Sequence, residues 1–175
     1  MKNLIIITFI FFIIFSCAHE AKHKKDDSKM NSTDETEILN TINNVYNNII
    51  VESNKTPDFK TIKEQFVEQA RLGYIINDSL ILKSPNEYFD TMERMLTQNK
   101  PEYLKEWEIK GTTKFFGKIA QRTSLYGVHF NTTDSLTEKG IINFQLVKIN
   151  NEWKILSMLW ESEKKGVLKS DNYFD

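Results

Sequence analysis

One cysteine, Cys17, stands in 175 residues, so no disulfide closes within the chain. Histidine is nearly as scarce: beyond His19 and His23 there is only His129. Charge of one sign is missing too. The 23 Lys and Arg residues almost balance the 24 Asp and Glu, which leaves no electrostatic footprint for nucleic acid. The longest nearly unbroken apolar run, Leu4 to Phe15, is about a dozen residues, well short of the roughly 20 that a bilayer-crossing helix needs.

The flanks of that run say what it is instead. Lys2 precedes it and Ser16 follows it, the pattern of a secretory signal peptide. Ile14-Phe15-Ser16-Cys17 also resembles a bacterial lipobox, with an aliphatic residue at −3, a small one at −1 and cysteine at +1. That resemblance implies removal of residues 1–16 and lipidation of Cys17, which would anchor the protein to a membrane of the bacterial cell envelope, outside the cytoplasm. Two alternatives stay open: an ordinary cleaved signal with Cys17 as a free thiol, and an uncleaved anchor. The body after residue 16 carries 22 basic and 24 acidic residues, a formal charge of −2, and is long enough for one domain.

Residues 17–33, the lipidated cysteine and its neighbours, are charged and lack apolar periodicity, as a solvated tether should. Within them His19-Glu20-Ala21-Lys22-His23 spells H-E-x-x-H, which on a helix supplies two zinc ligands and a general base. A zinc centre also needs a third protein ligand and a shell that fixes the imidazoles. Flanking lysines and the distance to His129 argue for coincidence, so neither metal nor cofactor is expected. Lys24-Lys25-Asp26-Asp27 resembles the lysine-plus-acid signals that route some lipoproteins to the cell surface, but it lies further from Cys17 than such signals do, and a plain hydrophilic spacer is the better reading.

Order is expected from residues 34–165, with 166–175 as a C-terminal tail. Ser32-x-x-Glu35 reads as a capping box, and Ile38, Leu39, Ile42, Val45, Tyr46, Ile49 and Ile50 follow at helical spacing. Thr56-Pro57 predicts a second, short helix to about Phe66, with Thr56 as N-cap and the stripe Phe59, Ile62, Phe66. "RLGYIINDSLILK" is rich in β-formers and broken by Asn77-Asp78, which suggests two short strands or an extended hairpin. Ser84-Pro85 starts a third helix that buries Tyr88, Phe89, Met92, Met95 and Leu96, and everything after Pro101 reads as strand.

Strict alternation assigns faces to those strands. A turn at Asn150-Asn151 pairs Lys148 with Trp153, Leu146 with Ile155, Phe144 with Ser157 and Ile142 with Leu159, and leaves Leu156, Met158 and Trp160 outside as a candidate homodimer face. A turn at Gly117-Lys118 pairs Ile109 with Tyr126 and Trp107 with Val128, and sets His129 beside Glu106 as an exposed cross-strand neighbour. On the helix-covered side the same alternation gathers Arg122, Ser124, Tyr126, Ser157 and Glu161, with Tyr46 and Tyr74 facing them from the other half. An arginine, hydroxyls and a carboxylate around an apolar cavity suit a small apolar or acidic ligand. The plainer alternative is an Arg122–Glu161 ion pair and a core tyrosine.

Helices first and long antiparallel strands after them make an α+β plan. The blocks "FFGKIAQRTSLYGVHF", "EKGIINFQLVKINNEWKILSMLWESE" and "FVEQARLGYI" resemble the core of bacterial nuclear transport factor 2-like (SnoaL-like) domains over about residues 35–163. The matching positions are Phe116, Gly117, Ile119 and Ala120, then Ser124 and Tyr126, then Gly140, Ile141, Gln145 and Leu146, and finally Trp153, Ile155, Trp160 and Glu161. The resemblance implies a cone-shaped fold, three helices of the N-terminal half packed on a curved antiparallel sheet, with any site in the mouth of the cone. It leaves function open, because that superfamily holds isomerases, dehydratases and cyclases beside non-catalytic binding domains. No catalytic residue transfers by position. A binding or interaction module is the expectation, and general acid-base chemistry by Glu161 or Tyr126 is the alternative.

Overall fold

The computed structural model describes residues 32–164, 169–170 and 173–174. The leader, Cys17, the tether and its H-E-x-x-H lie outside them, as does the Ser32 side chain of the expected capping box. Helix α1 (Ser32–Asn48) buries the stripe Ile38, Ile42, Val45 and Tyr46, which Ile49 just past its end continues. Its first turn is tied to the sheet: Lys148 Nζ donates to Asp34 at 2.7 Å and to Glu37 at 2.8 Å, and the Trp153 indole donates to Asp34 at 3.0 Å. These bonds hold the Asp34 carboxyl below its usual range.

Helix α2 (Phe59–Lys63) is shorter than its sequence suggests and is capped by Asp58 instead of Thr56. The Asp58 carboxylate accepts both the backbone N–H and the hydroxyl of Thr61, two bonds that a threonine cap at residue 56 could not supply. Phe59 and Ile62 are buried as the stripe requires, but Phe66 already opens strand β1 (Phe66–Ile76). Asn77 and Asp78 both take positive φ, 47° and 61°, and turn the chain tightly into β2 (Ser79–Lys83). Helix α3 (Pro85–Asn99) begins with the full capping box of Ser84 and Glu87. Its stripe is buried less evenly than expected: Phe89 is fully covered, whereas Met95 is 49% exposed.

Strands β3 (Leu104–Phe116), β4 (Ile119–Phe130), β5 (Glu138–Ile149) and β6 (Glu152–Ser162) complete one six-stranded sheet in the order β2-β1-β6-β5-β4-β3. The sheet is mixed, not purely antiparallel, because β1 runs parallel to β6. The antiparallel β3-β4-β5-β6 meander ends with β6 seated beside β1 and running in the same direction. The helices lie on the concave face, where Phe144, Leu146, Ile155 and Leu72 have essentially no exposure. The tail is partly described: the Ser170 N–H donates to Glu163 at 2.8 Å, and Lys110 Nζ sits 5.4 Å from the Phe174 ring centre.

Besides an irregularity in β1 between Phe66 and Arg71, a β-bulge in β6 and another in β3 break the strict alternation, and these two decide what faces the helices. In β6 the pairs Lys148–Trp153 and Leu146–Ile155 stand as alternation gives them, but Gln145 then meets Ser157, Phe144 meets Met158 and Ile142 meets Trp160. Leu156 is the extra residue. Turning Met158 and Trp160 inward in exchange for Ser157 and Leu159 buries more apolar surface, at roughly 1.5–3 kcal/mol for each large side chain fully covered. The expected dimer face is therefore dismantled: Leu156 remains outside at 38% exposure, Met158 is 7% exposed, and Trp160 turns to the concave side.

The bulge in β3 works against hydrophobicity. Ile109 is its extra residue, so Glu108 meets Tyr126, Glu106 meets Val128 and Trp107 meets Gly127. Two glutamates turn inward while Trp107 and Ile109 turn outward, the reverse of what burial alone would select. His129 consequently lies beside Lys105, not Glu106, and its ring stacks edge-on at 4.8 Å against Trp107 on the outer face.

Candidate functional site

The cone is open. A cavity of about 540 Å³ lies between α1, α3 and the concave face, in the range of small-molecule sites. Helix α1 and the residue after it contribute Val45, Tyr46 and Ile49, and α3 contributes Tyr88, Phe89, Met92, Met95 and Leu96, which gives the exposed Met95 a place at the cavity edge. From the sheet come Tyr74, Leu104, Val128, Phe130, Ile142 and Phe144, together with the two residues that the β6 bulge turned inward, Met158 and Trp160. One wall is an aromatic trio, with Tyr74 4.9 Å and Tyr88 5.3 Å from Trp160 between ring centres and Tyr74 6.4 Å from Tyr88.

Polar groups are a minority of the lining: four tyrosines, two threonines, Lys83 and the two carboxyls Glu106 and Glu138. Glu106 borders the cavity, and burial, with the nearby Glu138 charge as a second cause, pushes its carboxyl up to about 8. At neutral pH it is mainly protonated and can donate a hydrogen bond. Among the described residues no group hydrogen-bonds to it. Glu138, at the cavity rim, accepts from the Tyr126 hydroxyl at 2.6 Å and from the Ser162 hydroxyl at 2.5 Å. Burial raises the Tyr126 phenol far above its ordinary value, and its bond to Glu138 adds to that. Tyr88 and Tyr46 are raised for the same first reason, with Glu106 as the next cause for each. The Tyr46 hydroxyl is buried beside the Ser124 hydroxyl, which eases its upward shift but does not form a well-aligned hydrogen bond with it.

Beside this cavity lies a second polar cluster that does not open into it. Arg122, 6% exposed, donates from Nε to Glu108 at 2.7 Å and from Nη1 to Thr113 at 2.6 Å, and pairs with the same carboxylate through Nη2. Ser124 donates to Glu108 as well. The β3 bulge supplies that partner. Gly111 is required opposite it, since a Cβ there would stand 2.5 Å from Glu108 Oε2 and 2.6 Å from Arg122 Nη2. Buried, bidentate and further hydrogen-bonded, this pair is matched within the fold.

The residues gathered by sequence alternation thus separate. Tyr46, Tyr74 and Tyr126 line the cavity. Arg122 and Ser124 are inside but engaged by Glu108. Ser157 and Glu161 are on the outer face, Ser157 donating to Gln145 at 2.9 Å and Glu161 paired with Lys164 at 2.7 Å, because the Leu156 bulge shifts both by one residue. An Arg122–Glu161 pair does not form. Glu106 and Glu138 were missed. The available signal was a pair of glutamates two apart in an otherwise aromatic and aliphatic strand, Glu106-Trp107-Glu108-Ile109, where either face could be the inner one. Among the described residues no group of three or more His, Cys, Asp and Glu side chains could hold a metal ion.

No family model matches the chain, and no curated protein matches it in sequence. Solved structures do match it in shape. A nuclear transport factor 2-like protein of unknown function from Pseudomonas putida covers 80% of this chain and 94% of its own, with a TM-score of 0.62 at 13% identity. The domain has the nuclear transport factor 2-like fold. A protein of unknown function with a cystatin-like fold from Nostoc punctiforme covers 77% of this chain and 95% of its own, with a TM-score of 0.61 at 14% identity. A nuclear transport factor 2-like protein from Streptomyces avermitilis, provisionally called a dehydratase, covers 75% and 97% with a TM-score of 0.57 at 12% identity. At such identities the likeness is one of fold.

Proposed function

We propose that the protein is a lipoprotein, anchored outside the cytoplasm through Cys17, whose nuclear transport factor 2-like domain binds a small, largely apolar molecule in the cone. The observation that carries the binding reading is the cavity of about 540 Å³, walled by aromatic and aliphatic side chains and provided with a few convergent polar groups. The acidic ligand suggested by Arg122 is no longer favoured, because Glu108 already engages that guanidinium. The interaction-module form of the proposal is weaker, since the outer face loses Met158 and Trp160. Self-association through that face would rest on Leu156 and Leu159.

A second reading, a small acid-base enzyme acting on an apolar ligand, gains from one observation. Glu106 titrates near 8 in an apolar cavity, where it can give or take a proton at neutral pH. Glu161 drops out of that role by position, and Tyr126, tied to Glu138, is held protonated.

Val128 lines the cavity, so Val128→Trp should fill it. In a thermal-shift screen of small apolar compounds, ligands that raise the melting temperature of the unaltered chain should lose that effect in the filled variant. Ligands that act equally on both would place binding elsewhere. For the address, Cys17→Ser should move the protein from the membrane fraction to the soluble one, and persistence with the membrane would refute lipidation at Cys17.

A further inference from the structure

Among the described residues the cavity is lined by two carboxyls and one cation, Lys83, which bonds a neutral hydroxyl and plays no part in the environment of Glu106. Arg122 is bound by Glu108, and Lys83, at the α3 rim, donates to Thr91 at 3.4 Å and lies near Glu87. No basic side chain contributes to the electrostatic environment of Glu106; burial and Glu138 do. The β3 bulge delivers this glutamate to the interior at the expense of Trp107 and Ile109, and nothing among the described residues compensates it. Glu108, delivered by the same bulge, is fully compensated. A fold that satisfies one inward glutamate and leaves its neighbour open to a cavity has left room for something that is not part of the chain.

A second observation points the same way. The Tyr46 hydroxyl, on a residue only 4% exposed, has only the neighbouring Ser124 hydroxyl within reach, in a geometry short of a full hydrogen bond, no other partner among the described residues, and a place in the cavity wall. The groups facing Glu106 are then Tyr46 from α1, Tyr74 from β1, Tyr88 from α3, Tyr126 from β4 and Glu138 from β5, with Lys83 at the rim and the Glu108–Arg122 pair beneath. All but Lys83 and that pair are acids or phenols. The Tyr74–Tyr88–Trp160 trio adds aromatic faces, which attract cations through their quadrupoles.

Building on the binding reading above, we infer that the cavity takes an organic cation, an amine or quaternary ammonium on an apolar body, with its charge held by Glu106 and Glu138 against the faces of Tyr74, Tyr88 and Trp160. Such a ligand supplies the counter-charge that the chain omits. Its arrival expels the Glu106 proton to solvent, since the carboxylate and the ammonium stabilise one another. The apolar body fills the space towards Phe144, Met92 and Leu104.

Three probes of one shape separate the chemistries: 4-phenylbutylamine, 4-phenylbutanol and 4-phenylbutyrate. Isothermal titration calorimetry on the full chain in detergent should find the amine bound at least about tenfold more tightly than the alcohol or the acid at pH 8. Amine affinity should fall by up to roughly 50-fold from pH 8 to pH 6, the change in ionised fraction of a carboxyl titrating near 8. At pH 7, buffers of different ionisation enthalpy should report close to one proton released per amine bound. Glu106→Gln should erase the amine preference and the pH dependence while alcohol binding persists, which shows that the variant is folded. If the alcohol or the acid binds as tightly as the amine, this inference fails and the binding reading stands. If none of the three binds, both fail.

Discussion

Replacing Glu106 with glutamine should stabilise the protein, and only above acidic pH. The folded chain holds the Glu106 carboxyl at about 8 against an ordinary 4.5. Below about 4.5 both folded and unfolded chains keep the proton, so it contributes nothing. As pH rises from there the unfolded chain releases the proton and the folded chain retains it, so the native state binds more protons and stability falls with pH. The slope is at most about 1.4 kcal/mol per pH unit, and the fall ends near pH 8. The full difference is roughly 4–5 kcal/mol, an upper figure because water entering the cavity softens the desolvation, so about 2–4 kcal/mol is expected. Glutamine preserves the shape and removes the titration. Urea unfolding followed by tryptophan fluorescence, at intervals from pH 4.5 to 9, should give coincident midpoints for the two proteins at the acid end. Above that, the variant should pull ahead until about pH 8 and keep a constant lead. A pH-independent difference, or a variant less stable than the parent at pH 8, would refute the assignment of Glu106 as an uncompensated buried carboxyl. The gain in stability with loss of cation binding is the exchange expected where a site is held against the preference of the fold.

Other outcomes follow from the same geometry. Arg122→Met strands Glu108 in the interior and should cost about 3–5 kcal/mol in urea unfolding, and adding Glu108→Gln should recover most of the loss; no recovery would mean that the cluster is not a matched pair. Met158→Asp should unfold or severely destabilise the chain while Leu159→Asp shifts stability by no more than about 0.5 kcal/mol. Strict alternation in β6 requires the opposite order, so the pair tests the Leu156 bulge directly.

How much of this was legible in the sequence depends on which signal carried it. Helix α3 was plain, because Ser84, Pro85 and Glu87 encode its start locally. The three tight turns were plain as well, since Asn77-Asp78, Gly117 and Asn150-Asn151 tolerate positive φ. The start of α2 was misplaced because two N-cap candidates, Thr56 and Asp58, stand two residues apart and the choice rests on which side chain reaches Thr61. The parallel β1–β6 pair was hidden because it joins segments some ninety residues apart, with no local mark of direction. The site failed for a sharper reason. A bulge adds one residue to one strand, and every side chain beyond it changes face. In β6 the apolar residues on both faces made the shift invisible, and Met158 and Trp160 were assigned outward. In β3 the shift ran against hydrophobicity, so alternation placed Trp107 and Ile109 inside and concealed Glu106, the residue on which the chemistry of the cavity now turns.

The most direct measurement is a native mass spectrum of the protein extracted from its own host without denaturation, recorded beside the Val128→Trp variant prepared identically. The binding account predicts a one-to-one adduct of a small molecule on the unaltered chain, released on denaturation and missing from the filled variant. Bare masses for both proteins, or the same adduct on both, would contradict it.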